Sequence, residues 1–258
     1  MNRKTLELGR TFLLKLPFGE WLVNYLKLKL FGVYRKRMIK TRAGVFYHLN
    51  TEEGLIDLDE RDEQTFFEYP DMIVANRSIG EHWITPDVHS VVNIGSGVGT
   101  FEAQNAEKYP EIQFLASEMD ATSTEWAIKN RSYPNVKYCM DSMEEIIKKC
   151  PPQQKYDLAV SVDVIEHVAD YKSFLDEFVQ LADKAVISTP NRDRPSGQIY
   201  RPRYKMHVQE FDAGELYFIL KMYYRKVELY SAPDVMKTEL IPVGLYSSYD
   251  KLFAYCEK

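Results

Sequence analysis

Three groups of residues in this chain have types and spacings suited to chemistry. The first is Gly95-Ser96-Gly97-Val98-Gly99, which directly follows the apolar run Val91-Val92-Asn93-Ile94. Glycines at alternate positions after a buried strand allow a tight turn and let a ligand come close to the backbone. Glu118 ends the next apolar run, Phe114-Leu115-Ala116-Ser117, where a carboxylate can accept both hydroxyls of a ribose. Met119 beside it can lie against an adenine face. Asp141, just past the following apolar run, can accept from an exocyclic amine. Dinucleotide sites use Gly-x-Gly-x-x-Gly, and Thr100 stands where the third glycine would be, which disfavours a pyrophosphate.

The second group is His167 and His207, two imidazoles able to take a proton near neutral pH. Each has a plainer structural use, His167 in pinning a turn and His207 in contacting a helix N-terminus. Asp163, Glu166 and His167 stand at i, i+3 and i+4, so a helical turn beginning there would place all three on one side. Two carboxylates and an imidazole can hold a divalent metal, and a solvated acidic turn is the commoner outcome. The third group is a basic, aromatic loop. Arg192, Arg194 and Arg201 offer planar forks for phosphate or carboxylate, and Tyr200 and Tyr204 offer faces for a sugar ring. These five are the acceptor-binding candidates. An exposed basic loop is the simpler account of them.

The elements that must position these groups alternate. Strand-like runs cover 88–94, 112–118, 135–139, 156–162 and 184–189, with helix-like runs near 99–108, 123–131, 142–149 and 170–182. Short apolar strands alternating with helices of this length imply βαβ units and a parallel sheet. A helix near 212–224 precedes two closing strands, 226–230 and 252–256, which can pair as an antiparallel hairpin. Upstream, Pro17 and Gly19 break a helical N-terminal stretch, residues 41–60 are irregular, and Pro70 divides two further helices, the second over 71–82. Pro86 marks the entry to the main domain. The expected organisation is a helical extension or lid over 1–85 and an α/β domain over 86–258.

Composition narrows the setting. Three scattered cysteines, with no paired spacing, point to a reducing, cytoplasmic compartment. The net charge of −5 hides an asymmetry: residues 1–42 carry eleven Lys/Arg and two Glu, and the rest is acidic. Together with Trp21, Leu22 and Tyr25, that basic segment suits an anionic membrane surface, and suits docking on the chain's own acidic domain equally well. No apolar run approaches the ~20 residues needed to span a bilayer. The acidic main domain argues against a nucleic-acid partner.

Taken together, these motifs resemble class I S-adenosylmethionine-dependent methyltransferases across residues 88–230. Tyr156-Asp157-Leu158-Ala159-Val160-Ser161-Val162-Asp163-Val164-Ile165-Glu166-His167-Val168 is similar to that family's fourth strand and the turn after it. Lys184-Ala185-Val186-Ile187-Ser188-Thr189-Pro190-Asn191-Arg192 resembles the fifth strand as found in ubiquinone-pathway O-methyltransferases and in methyltransferases of cell-surface glycan assembly. His207-Val208-Gln209-Glu210-Phe211 resembles the latter group. The resemblance implies a Rossmann-like, doubly wound seven-stranded sheet, mostly parallel with an antiparallel last strand. It implies S-adenosylmethionine held by Asn93, Gly95, Gly97, Gly99, Glu118, Met119, Asp141 and Ser161, with His167 and His207 as catalytic candidates. It also implies an oxygen acceptor on a small molecule or surface-glycan sugar, with polysaccharide biosynthesis as the setting. A quinone or prenyl-aromatic acceptor and a catalytically silent binding subunit are the alternatives. Some ubiquinone-pathway enzymes carry a Glu-x-x-Glu-His arrangement like Asp163, Glu166 and His167, hence the divalent metal. The family usually has an acid at Asn93, near the cofactor's amino-acid end, so here the chain departs from its pattern.

Overall fold

The computed structural model describes residues 39–41, 44–46, 70–150, 155–193, 207–234 and 236–258. By compactness the chain divides into residues 1–39 and 40–258, and the second unit holds the main sheet. Strands β1 (Ile39–Thr41) and β2 (Gly44–Phe46) form a small two-stranded sheet in the stretch expected to begin irregular chain. Helix α1 (Pro70–Trp83) starts on Pro70, whose fixed φ and missing N–H suit a first helical position.

The main sheet is built from β3 (Ser90–Ile94), β4 (Gln113–Ser117), β5 (Val136–Cys139), β6 (Leu158–Val162), β7 (Lys184–Pro190), β8 (Lys226–Ser231), β9 (Ile241–Pro242) and β10 (Lys251–Glu257). Between them run α2 (Thr100–Asn105), α3 (Ala121–Asn130), α4 (Met143–Lys149), α5 (Tyr171–Leu181) and α6 (Ala213–Lys221). The strand order is β5-β4-β3-β6-β7-β10-β8-β9. Seven of these are the principal strands that the resemblance implies; the eighth, β9, is a two-residue pairing on the outer edge of β8. Strands β3 to β7 pair in parallel, and β10 is antiparallel to both β7 and β8. The closing hairpin is therefore present, with its second strand inserted beside β7.

The sequence accounts for this arrangement. Val91 and Val92 in β3, Leu158, Ala159 and Val160 in β6, and Ala185, Val186 and Ile187 in β7 are all buried. Such unbroken apolar runs belong to parallel strands covered on both faces. On one face α5 contributes Phe174, Leu175, Phe178 and Leu181, the single stripe of an amphipathic helix. On the other, Ala75, Ile79 and Trp83 of α1 join Val91, Phe101, Phe114 and Phe253 in a second core. Helix α1 thus covers the sheet directly. Capping fixes where helices begin: Asp120 and Asp170 accept from the third residue on, and Ser142–Glu145 and Asp212–Glu215 form reciprocal capping boxes.

From β3 the chain lays down β4 and β5 on one side, then crosses to β6 and β7 on the other. The carboxyl ends of β3 and β6 therefore flank the point where strand order reverses, which is where open α/β sheets form their ligand crevice. The glycine loop leaves one of these strands and the turn Asp163–Val168 leaves the other.

Candidate functional site

One lip of the crevice is the glycine loop. The Gly95 and Ser96 amides both donate to the Ser117 carbonyl, at 2.9 and 3.0 Å, tying the loop to the end of β4. Gly95 has φ +74°, and a Cβ there would lie 2.4 Å from Val164 Cγ2, so only glycine fits. Gly97, at φ +54°, is different: nothing lies within 4 Å of where its Cβ would be. Its N–H donates to Glu118 Oε2 at 2.9 Å, while Glu118 Oε1 accepts from the Asp120 N–H at 2.9 Å. Both carboxylate oxygens are thus held against backbone, each retaining a lone pair for another donor.

Behind this loop lies a buried polar group. Asn93 Nδ2 donates to Glu102 Oε1 at 2.9 Å, and both side chains are buried. Glu102, on the first turn of α2, has no exposed surface, and burial pushes its carboxyl up to about 7. Its Oε2 and Asn93 Oδ1 make no hydrogen bond among the described residues. The carboxyl beside Asn93 thus comes from the helix, not from the strand. The sequence does not single out Glu102, because nothing in its spacing ties it to Asn93. Burial also raises the neighbouring Tyr138 phenol, which packs against Gly99.

The other lip follows β6. Asp163 has φ +54°, the one non-glycine residue in the left-handed region among those described. A short 3₁₀ turn, Ile165–His167, begins after it. Asp163 therefore does not share a helical turn with Glu166 and His167. Its carboxylate accepts instead from Ser188 Oγ at 3.1 Å and from Lys251 Nζ. Glu166 is fully buried; its Oε2 accepts from Thr189 Oγ1 at 3.0 Å, and burial followed by the charge of Asp163 holds its carboxyl well above the usual range.

The two histidine candidates meet here. The His167 and His207 rings lie 4.8 Å apart, edge to face. The segment carrying His207 is clamped to the turn: the Val208 and Gln209 amides donate to the Glu166 carbonyl at 2.8 and 3.2 Å, and Gln209 Nε2 donates to the Val168 carbonyl at 2.8 Å. His207 Nδ1 lies 2.7 Å from Glu210 Oε1. A carboxylate only accepts, so this contact puts the ring proton on Nδ1 and leaves Nε2 the basic nitrogen. Glu210 stands three residues after His207, a signal present in the sequence; Lys251 and Thr189 carried none.

The remaining candidates are dispersed. Asp141 pairs with Lys149 Nζ at 2.6 Å, and its carbonyl accepts from Ser117 Oγ, holding the end of β5 beside the end of β4. Met119 is half-buried next to Glu118. Ser161 is buried within the sheet, where its hydroxyl donates to the Ile94 carbonyl at 3.2 Å. Arg192 engages Asp212 and Glu215, the capping box of α6, the latter at 2.7 Å. Arg194, Tyr200, Arg201 and Tyr204 lie outside the described residues, as does the basic segment of 1–42 except for Ile39–Thr41. Among the described residues no helix is long and apolar enough to cross a membrane.

A profile of the methyltransferase-domain family matches residues 64–226, well over half of the chain. No curated protein matches it in sequence. Among solved structures, the fold is similar to an S-adenosylmethionine-dependent methyltransferase from Thermotoga maritima, described as a possible histamine N-methyltransferase. That likeness has a TM-score of 0.55 at 16% identity, over 76% of this chain and 93% of that one. A plantazolicin methyltransferase in complex with S-adenosylhomocysteine is similar at a TM-score of 0.56 and 11% identity, over 79% and 91% of the two chains.

Proposed function

This chain belongs to the methyltransferase-domain family, and on that premise we propose that it moves a methyl group from S-adenosylmethionine to an oxygen of a small-molecule or sugar acceptor. One observation carries the reading: the two lips of the switch-point crevice are furnished differently, one for a nucleoside and one for proton handling. On the first, Glu118 is held to the Gly97 and Asp120 amides with lone pairs to spare, and the space before Gly97 is open. That combination fits a ribose diol beside a close-approaching backbone. Met119 flanks the adenine, Asp141 receives its amine, and Asn93, backed by Glu102, lies toward the amino-acid end. The plantazolicin methyltransferase, solved in complex with S-adenosylhomocysteine, supports the choice of cofactor.

When bound, the cofactor supplies an electrophilic methyl group on a sulfonium. The protein's task is then to hold an acceptor lone pair in line with it and to dispose of the acceptor's proton. The His167–His207 pair does the latter, with Glu210 fixing the His207 tautomer. The arginines and tyrosines between Arg192 and Tyr204, read from the sequence alone, favour a phosphorylated or carboxylated sugar as the acceptor.

The test is calorimetric titration with S-adenosylhomocysteine, followed by turnover on a panel of hydroxyl acceptors. His167→Gln and His207→Gln should each bind the product nucleoside normally and lose ~10²–10⁴-fold in turnover. Tight binding of a nicotinamide dinucleotide with no affinity for the sulfur nucleoside would overturn the reading. Binding without turnover on any acceptor would make the chain a silent subunit.

A further inference from the structure

We propose that the outer face of α6 is a dimer interface, on which a second copy of this chain packs its own α6 antiparallel about a two-fold axis at Phe218. The inference lies outside the methyl-transfer reading and does not rest on it. Helix α6 buries Ala213, Leu216 and Leu220 against the sheet, and that stripe completes its inner face. Phe218 and Met222 stand on the opposite side, one turn apart, and are 62% and 77% exposed. Single apolar residues scattered over a surface are ordinary. Two large ones adjoining on a helix whose other face is already packed form a patch that a partner covers.

The charges on the same helix say which partner. Its first turn is acidic, with Glu215, and its last turn basic, with Lys221. When two copies of one helix cross antiparallel about a two-fold, a residue some steps after the axis faces the residue as many steps before it. With Phe218 on the axis, Lys221 faces the partner subunit's Glu215, and the pair occurs twice. Antiparallel copies also set opposite helix dipoles side by side. Parallel copies would set each charge against its own kind.

Both charged groups have capacity to spare. Glu215 Oε2 takes the Arg192 guanidinium and the Asp212 amide, and Oε1 takes no hydrogen bond among the described residues. Lys221 donates to the Arg225 carbonyl, which leaves two ammonium protons. Under the same axis Met222 faces the partner subunit's Gly214. That position carries no side chain, and the half-buried Leu245 floors it, its carbonyl 3.5 Å from where a Cβ on Gly214 would stand. An unbranched thioether adapts to such a shallow notch. A single helix pair falls short of the ~1,200 Å² that a standard interface buries, so the dimer should be weak and concentration-dependent.

The test is sedimentation equilibrium of the full chain through the micromolar range, where the parent should pass from monomer to dimer. Phe218→Glu should hold it monomeric, and Met222→Glu should do the same from the end of the stripe. Lys221→Glu, which sets like charges across the axis twice over, should weaken association about tenfold. Under mild oxidation Phe218→Cys should crosslink to its own copy, because a residue on a two-fold meets itself, whereas Lys221→Cys should not. The parent, with its three native cysteines, is the control. All these side chains are exposed, so melting temperatures near the parent's certify the folds. A parent that stays monomeric, a dimer untouched by Phe218→Glu and Met222→Glu, or crosslinking at Lys221→Cys in place of Phe218→Cys would overturn the interface. So would a monomeric parent that sediments with phosphatidylglycerol vesicles and loses them on Phe218→Glu, which would give the face to a lipid surface.

Discussion

Glu102 offers a sharp test because a buried carboxyl couples stability to pH in a direction opposite to the common one. Its ordinary value near 4.5 is moved to about 7, with desolvation the largest cause. At pH values below 4.5 both folded and unfolded chains hold the proton. Between 4.5 and 7 the folded chain keeps a proton that the unfolded chain has lost, so stability falls as pH rises, and above about 7 the penalty is complete. At about 1.4 kcal/mol for each tenfold change in proton affinity, the full penalty is at most about 3 kcal/mol. Glu102→Gln keeps an oxygen for Asn93 Nδ2 and carries no charge at any pH. The variant should match the parent near pH 4.5 and exceed it by up to about 3 kcal/mol at pH 8. In a chain of this size that is a rise of roughly 6–12 °C in melting temperature. Calorimetric melting of both proteins across pH 4.5–8 reads the difference directly, and other titrating groups cancel in the comparison. A difference that stays constant with pH, or a variant that becomes the less stable protein as pH rises, would refute the reasoning. The second result would mean that Glu102 is ionised and held by the Arg131 charge behind it.

Gly97→Val should cost more than tenfold in S-adenosylhomocysteine affinity, because it strains the loop at φ +54° and fills the open space before it; normal binding by calorimetry would remove the loop from the site. Gly95→Ala should act on the fold instead, lowering the melting temperature through the clash with Val164 Cγ2. Glu118→Ala should weaken nucleoside binding by about 1.5–3 kcal/mol, the range for a hydrogen bond to a charged group, and unchanged affinity would show that the ribose lies elsewhere. For residues 1–42, sedimentation with anionic vesicles should decline as salt rises, and deletion of the segment should abolish it without changing nucleoside affinity. A truncated protein that aggregates would identify Trp21, Leu22 and Tyr25 as core residues.

The parallel strands are legible because burial on both faces writes itself into the chain as unbroken apolar runs such as Leu158-Ala159-Val160 and Ala185-Val186-Ile187. The glycine loop is legible because φ above zero restricts the residue type. The pairing of Glu118 with that loop follows from topology, since adjacent parallel strands end side by side. Partners brought together only by packing leave no such trace. Lys251 reaches Asp163 across 88 residues, and no local pattern announces such a contact. The spacing of Asp163, Glu166 and His167 suggests one helical face, but periodicity cannot register a single left-handed residue that turns Asp163 away before the 3₁₀ turn starts. His207, a lone imidazole in the sequence, becomes His167's neighbour through backbone bonds from the segment that follows it. Pro86 reads as the entry to the main domain, yet Ile79 of α1, upstream of it, lies in the same core as Val91 and Phe253.

The position of β10 bears on how the chain is made. Residues 251–257 fill the gap between β7 and β8, which do not otherwise pair. During synthesis, β3 to β7 can assemble as they emerge, yet β7 keeps an open edge and β8 has no place in the sheet until this late segment clears the ribosome. An exposed run of unpaired backbone groups is a template for strands of other chains. A nascent chain arrested before residue 251 should therefore be readily cleaved by protease beyond β7 and prone to self-association, and should become resistant once those residues are released.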